Sequence, residues 1–145
     1  MTLFHGSHVP LTVGQVLSAS QPCAYYPEVV DELERLRPAS SPSRRHCVFA
    51  TDSLACASAF IRAQRPNAST PPYFYEVEMP VAQRSPFRLI HEISKRLKSG
   101  QEVESAIRAY WVPTDGWAFW EYFGPALTVI REVPAQRKRM RSASS

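Results

Sequence analysis

Nothing in this chain suggests a membrane span, because Pro, Ser and Thr break its uncharged stretches well before the roughly 18 apolar residues such a helix requires. The opening residues, Met1-Thr2-Leu3-Phe4-His5-Gly6, carry no basic region leading into an apolar core. A secretory leader is therefore not expected, and a cytoplasmic location is. Cysteine is scarce: Cys23, Cys47 and Cys56 form an odd set without close pairs, which argues against a disulfide scaffold and points to reduced, buried thiols. The histidines at 5, 8, 46 and 91 are dispersed, so no zinc site and no other metal is expected. There is no Gly-x-Ser-x-Gly elbow and no Gly-rich loop ending in Lys-Ser/Thr, which removes the usual hydrolase and phosphate-loop chemistries. No internal repeat is present.

What remains is one domain's worth of ordinary globular sequence. The chain has 145 residues, 44% of them hydrophobic and 21% charged, near the averages for folded domains. Residues 1–134 are expected to form the domain and residues 135–145 a basic tail. The formal net charge is +4, and Arg137, Lys138, Arg139 and Arg141 account for part of it. That tail reads as a solvated end, with an electrostatic handle for nucleic acid or an acidic partner as the alternative. A monomer is expected.

Periodicity places the elements. Residues 13–17 suggest a helical turn, and residues 28–36 a helix with Val29, Val30, Leu33 and Leu36 on one face and Pro27 in its first turn. Residues 39–45 read as a loop, in which Arg44 and Arg45 are solvated or steer a pyrophosphate. A buried strand at 47–50 follows, then a helix capped by Thr51 or Asp52 that carries Leu54, Ala57, Ser58, Phe60 and Ile61. Residues 73–79 alternate like a strand, and Pro80 ends it. Residues 87–90 suggest a further strand or turn. Two short helices divided by Gly100 fill 93–111, and strands at 117–123 and 126–133 meet at Gly124-Pro125 in a hairpin or corner. The fold class is α+β.

Three short words carry the chemistry. Phe4-His5-Gly6-Ser7 offers an imidazole beside a glycine whose bare backbone a ligand can approach closely. Val48-Phe49-Ala50-Thr51-Asp52 leads into a helix bearing Phe60, so two aromatic faces are available for stacking. Phe119-Trp120-Glu121-Tyr122-Phe123 sets a carboxylate among rings, which is costly unless it faces a partner or a cleft. In this order the three words resemble the split dinucleotide site of ADP-ribosyltransferases with a His-Tyr-Glu signature, similar to poly-ADP-ribose polymerase catalytic domains and rifampin ADP-ribosyltransferases.

That resemblance implies two small twisted sheets flanking an NAD cleft. It assigns His5, Gly6 and Ser7 to the first element, with His5 on the adenosine ribose and the Gly6 backbone on the nicotinamide carboxamide. Phe49 falls where the family has its signature Tyr and Phe60 where polymerases have a second stacking ring, with Ala50 and Thr51 beside them. The family Ser aligns with Ala57, and Ser58 is adjacent. Glu121 matches the catalytic carboxylate, so His5, Phe49 and Glu121 form the implied catalytic set, with Glu76 and Glu78 as competing acids. The implied activity is mono-ADP-ribosyl transfer from NAD, used as substrate, to an unidentified protein, nucleic acid or small-molecule acceptor, in a toxin or effector role. Acceptor choice is expected in loops such as residues 67–72 and 85–100. A non-enzymatic module that reads ADP-ribose or nucleic acid is the alternative, since Phe49 lacks the family hydroxyl. An RNA phosphotransferase of the same fold ranks lower.

Overall fold

Apolar side chains alternate along Tyr73–Glu78 and are continuous in Val48–Thr51, and both segments are strands in the computed structural model, which describes residues 1–19 and 26–133. Cys23, the domain end at 134 and the basic tail lie outside the described residues. In chain order the elements are β1 (Leu3–Ser7), β2 (Val16–Ser18), α1 (Pro27–Arg35), a 3₁₀ turn (Arg44–His46), β3 (Val48–Thr51), α2 (Leu54–Gln64), β4 (Tyr73–Glu78), β5 (Gln83–Pro86), α3 (Arg88–Ser99), α4 (Glu104–Trp111), β6 (Trp120–Gly124) and β7 (Ala126–Glu132). The domain is α+β.

All seven strands join one sheet in the order β2-β7-β4-β1-β3-β6-β5, with antiparallel pairing throughout. The expected two sheets are thus one. Its halves meet weakly: β1 and β3 share a single register pair, Phe4 with Thr51, whereas β1 pairs with β4 at five positions. Gly124-Pro125 forms a corner between the halves and no hairpin, because β6 pairs with β3 and β5 while β7 pairs with β4 and β2.

Three apolar clusters hold the sheet. On one face Phe49 and Phe123 meet Val29 and Leu33 of α1, Ile90 and Ile93 of α3, and Ile107, Tyr110 and Trp111 of α4. The indole N–H of Trp111 donates to the Leu33 carbonyl at 2.9 Å, tying α4 to α1. The opposite face carries Leu3, Tyr75, Val77, Tyr122, Leu127 and Val129. Under α2, Ala57 and Ile61 pack on Phe74. Each large side chain so buried contributes about 1.5–3 kcal/mol.

The local differences from expectation have local causes. Ser53 caps α2, accepting from the Cys56 N–H, in place of Thr51 or Asp52. The Thr51 hydroxyl instead donates to the Ser53 carbonyl at 2.6 Å, and Asp52 accepts the Trp120 N–H at 3.0 Å. Residues 16–18 pair with β7 as a strand where a helical turn was expected. The span at 87–90 opens α3, and the polar edge strand β5 just before it shows no periodic pattern. Gly100 ends α3 in the left-handed region at φ 70°, as a dividing glycine should.

Two glycines are required by contact. A Cβ on Gly6 would stand 2.8 Å from Ile61 Cγ2, and one on Gly124 would collide with the Val81 carbonyl oxygen. A side chain can turn aside more easily than backbone. Gly6→Ala is therefore expected to cost about 1–3 kcal/mol as overpacking, and Gly124→Ala clearly more. Urea unfolding midpoints of the two variants check the ranking; equal midpoints would refute it.

Candidate functional site

The junction of the two half-sheets brings together most of the residues singled out in the sequence. His5 and Gly6 of β1, Phe49, Ala50 and Thr51 of β3, and Phe60 of α2 line one hollow, closed by Phe4 and Ala57. It arises because β1 and β3 diverge after one ladder pair, leaving the backbone beyond that pair unzipped. His5 bridges the gap: its Nδ1–H donates to the Phe49 carbonyl at 2.7 Å. A carbonyl only accepts, so the neutral ring carries its proton on Nδ1 and presents Nε2 as an acceptor. Burial holds the His5 pKa below the ordinary histidine value, and the bond to the Phe49 carbonyl opposes that only in part.

The hollow measures about 10 Å³, room for one water at most. The Phe49 and Phe60 rings lie 5.7 Å apart and tilted by 32°. Two stacking gaps of about 3.5 Å each would need roughly 7 Å, so the rings touch each other where a third ring would enter. The need for glycine at position 6 is also met from within the protein, since Ile61 fills the space a Cβ would take. The space as it stands does not admit a nicotinamide ring, and the polar side-chain atom there without a hydrogen bond among the described residues is His5 Nε2, an acceptor.

Three other residues from the sequence reading lie elsewhere. The Ser7 hydroxyl donates to the Val9 carbonyl at 2.7 Å and serves the chain turn after β1. Ser58 accepts from Arg62 Nε at 2.8 Å along α2. Neither lines the hollow. Glu121 pairs in register with Thr51, one strand from the hollow, yet its side chain is wholly buried and it does not line that hollow. Of the competing acids, Glu76 is ion-paired with Arg131 and Glu78 is exposed.

The partners of Glu121 are the residues that sequence reasoning missed. Arg44, read as a loop arginine, is completely buried and ion-paired with Glu121. The Tyr110 hydroxyl donates to Glu121 Oε1 and accepts from Arg44 Nη1 at 2.7 Å. The guanidinium also covers a face of Phe49, with Cζ 4.4 Å from the ring centroid. Burial, and then the charge of Glu121, drive the Tyr110 pKa well above its usual value although Arg44 pulls it down, so the phenol stays protonated and can donate. Glu121 Oε2 accepts no hydrogen bond among the described residues. One signal for Arg44 was present: a carboxylate among aromatics requires a cation, and this arginine pair precedes the strand beside it.

The Cys47 thiol is held in its protonated form. Burial raises its pKa to about 11, only partly offset by Arg44, and its thiol donates to the Ser43 carbonyl at 3.2 Å. Among the described residues no group of three His, Cys, Asp or Glu side chains is arranged to hold a metal, and no helix is long and apolar enough to cross a membrane. No protein-family model matches the chain, and no curated protein matches it at a significant level.

Glu121→Gln leaves a buried guanidinium uncompensated, so a loss of about 3–5 kcal/mol is expected in urea unfolding. Replacing all three polar partners, Arg44→Met/Tyr110→Phe/Glu121→Leu, is expected to recover most of that loss. An undiminished Glu121→Gln midpoint would show that the pair adds nothing to the fold. Both lowered histidines, His5 and His91, disfavour the folded state once the unfolded chain begins to protonate. Stability should hold above about pH 6.5 and fall as pH drops through it, levelling off below the folded-state values. His5→Asn, which keeps an N–H for the Phe49 carbonyl, should flatten that acid slope in denaturation curves taken from pH 7.5 to 5.

Proposed function

We propose that the chain is an NAD-binding domain of the ADP-ribosyltransferase type and acts as a mono-ADP-ribosyltransferase. The observation that carries this reading is the gathering of His5, Gly6, Phe49 and Phe60, remote in sequence, at one hollow on the β1/β3 junction. Their order and residue types resemble the family's dinucleotide site, and the weakly zipped junction is compatible with the family's split sheet.

On this reading each side chain has a physical task. Phe49 and Phe60 supply apolar faces for the nicotinamide ring, and His5 Nε2 accepts from a ribose hydroxyl. Glu121 stabilises developing positive charge on the ribose. Two adjustments are entailed: α2 withdraws from β1 so that its Phe60 ring parts from Phe49, and the Glu121 carboxylate exchanges Arg44 for the sugar.

The second of these adjustments favours a rival. A carboxylate already neutralised by a buried guanidinium suits a module that binds NAD or ADP-ribose without transferring it. Two measurements on the purified protein separate the readings. Calorimetric titration with NAD is expected to show binding that Phe49→Ala weakens about tenfold, as loss of a stacking face implies. Incubation with radiolabelled NAD and lysate is expected to place label on an acceptor and release nicotinamide. Binding without label supports the module, and absence of NAD binding refutes both.

A further inference from the structure

Charge on this surface is unevenly neutralised. Seven arginines, at 35, 37, 44, 45, 84, 96 and 131, are ion-paired. Arg62, Arg65, Arg88, Lys95, Lys98 and Arg108 are exposed and make no ion pair among the described residues, and three of these six, Arg88, Lys95 and Lys98, lie on α3 with His91 between them. Positions 88, 91, 95 and 98 recur at three, four and three residues, so they share one face of the helix. At about 1.5 Å per residue the stripe runs roughly 15 Å, or about four nucleotides at the duplex rise of about 3.4 Å per strand.

Beside the stripe is a hollow of about 440 Å³ lined by Tyr26, His91, Ser94, Lys95, Lys98 and Ser99. Two aromatic contacts fix its wall: Tyr26 meets His91 edge-on at 5.4 Å, and Phe87 meets His91 at 5.6 Å. The Tyr26 side chain is anchored by a 3.2 Å hydrogen bond between its hydroxyl and His91 Nδ1. Glu28 accepts from the Ser94 hydroxyl at 3.4 Å, and Glu92 lies beside Arg88 on the adjoining flank of α3. The combination is a row of unpaired cations along one side of a hollow with aromatic and hydroxyl walls. Proteins that hold single-stranded nucleic acid use the same two parts, cations for phosphates and an aromatic surface for an unstacked base.

We propose that this face of α3 docks single-stranded nucleic acid, with Arg88, Lys95 and Lys98 on phosphates spread along about four nucleotides and a base received in the hollow against Tyr26. A duplex keeps its bases stacked inside and offers the hollow nothing, so single strands are preferred over duplex of equal length. The site is separate from the β1/β3 hollow and does not depend on NAD. If the transferase reading also holds, it names the acceptor class.

The test is fluorescence anisotropy of the full chain with labelled 12-nucleotide DNA and RNA single strands and the matching duplex, over a range of salt, without NAD. The wild-type protein is expected to bind single strands more tightly than duplex. Lys95→Gln/Lys98→Gln should weaken binding about tenfold and reduce the slope of log affinity against log salt by about 1.4, at about 0.7 for each phosphate left without its lysine. Arg62→Gln/Arg65→Gln removes the same charge from the end of α2 and the residue after it and should change single-strand affinity less than twofold. Tyr26→Leu should weaken single-strand binding severalfold while sparing the duplex, with circular dichroism confirming the fold. Equal losses in the two charge-removal variants, duplex bound as tightly as single strand, or no binding at all would overturn the proposal.

Discussion

The ion pair between Arg44 and Glu121, with the Tyr110 hydroxyl inserted beside it, is the interaction on which the rest of this structure depends. It joins the turn before β3, the last half of α4 and the first half of β6 at the centre of the largest apolar cluster. A buried charge that loses its partner costs far more than the pair gains. These three elements therefore hold position together or not at all. The same bond neutralises the carboxylate that resembles a catalytic one and lays a cation over a face of Phe49. On the proposed reading, folding and ribose binding draw on one set of groups.

The other constraint is the narrow join between the half-sheets. A single ladder pair and the His5 bond to the Phe49 carbonyl connect β1 to β3, while α2 leans across the seam with Ile61 seated on Gly6. Sheets rarely leave backbone unzipped without filling the gap from elsewhere. Here α2 fills it, and Phe60 closes on Phe49.

Ion pairing also sorts the surface. Arginines on α1, β5 and β7, and Arg96 on one flank of α3, meet carboxylates, whereas the opposite flank of α3 keeps its cations for solvent or a partner. Part of the basic balance of the composition thus gathers on α3, whose last turns the periodicity from residue 93 marks as helical, while Arg62, Arg65 and Arg108 stand elsewhere without an ion pair among the described residues.

Local order was legible. Residues 28–36 show α1 through Val29, Val30 and Leu33 at helical spacing after Pro27, and Gly100 divides α3 from α4 because only glycine takes its left-handed conformation without cost. β5 escaped because Gln83-Arg84-Ser85-Pro86 is a polar edge strand, defined by its pairing with β6 and by no pattern of its own. Phe49 and Phe60 could be matched as an aromatic pair, yet their contact distance was invisible from composition. By itself the sequence determined the helices, most strands and the chemical character of the three words, since these follow from steric and hydrophobic preferences within a few residues. Only the tertiary structure decided that Glu121 faces Arg44 across 77 residues of chain, that Gly6 makes room for Ile61, and that Gly124-Pro125 turns between half-sheets. Those outcomes depend on which distant side chains share the limited buried volume, and no local pattern encodes that sharing.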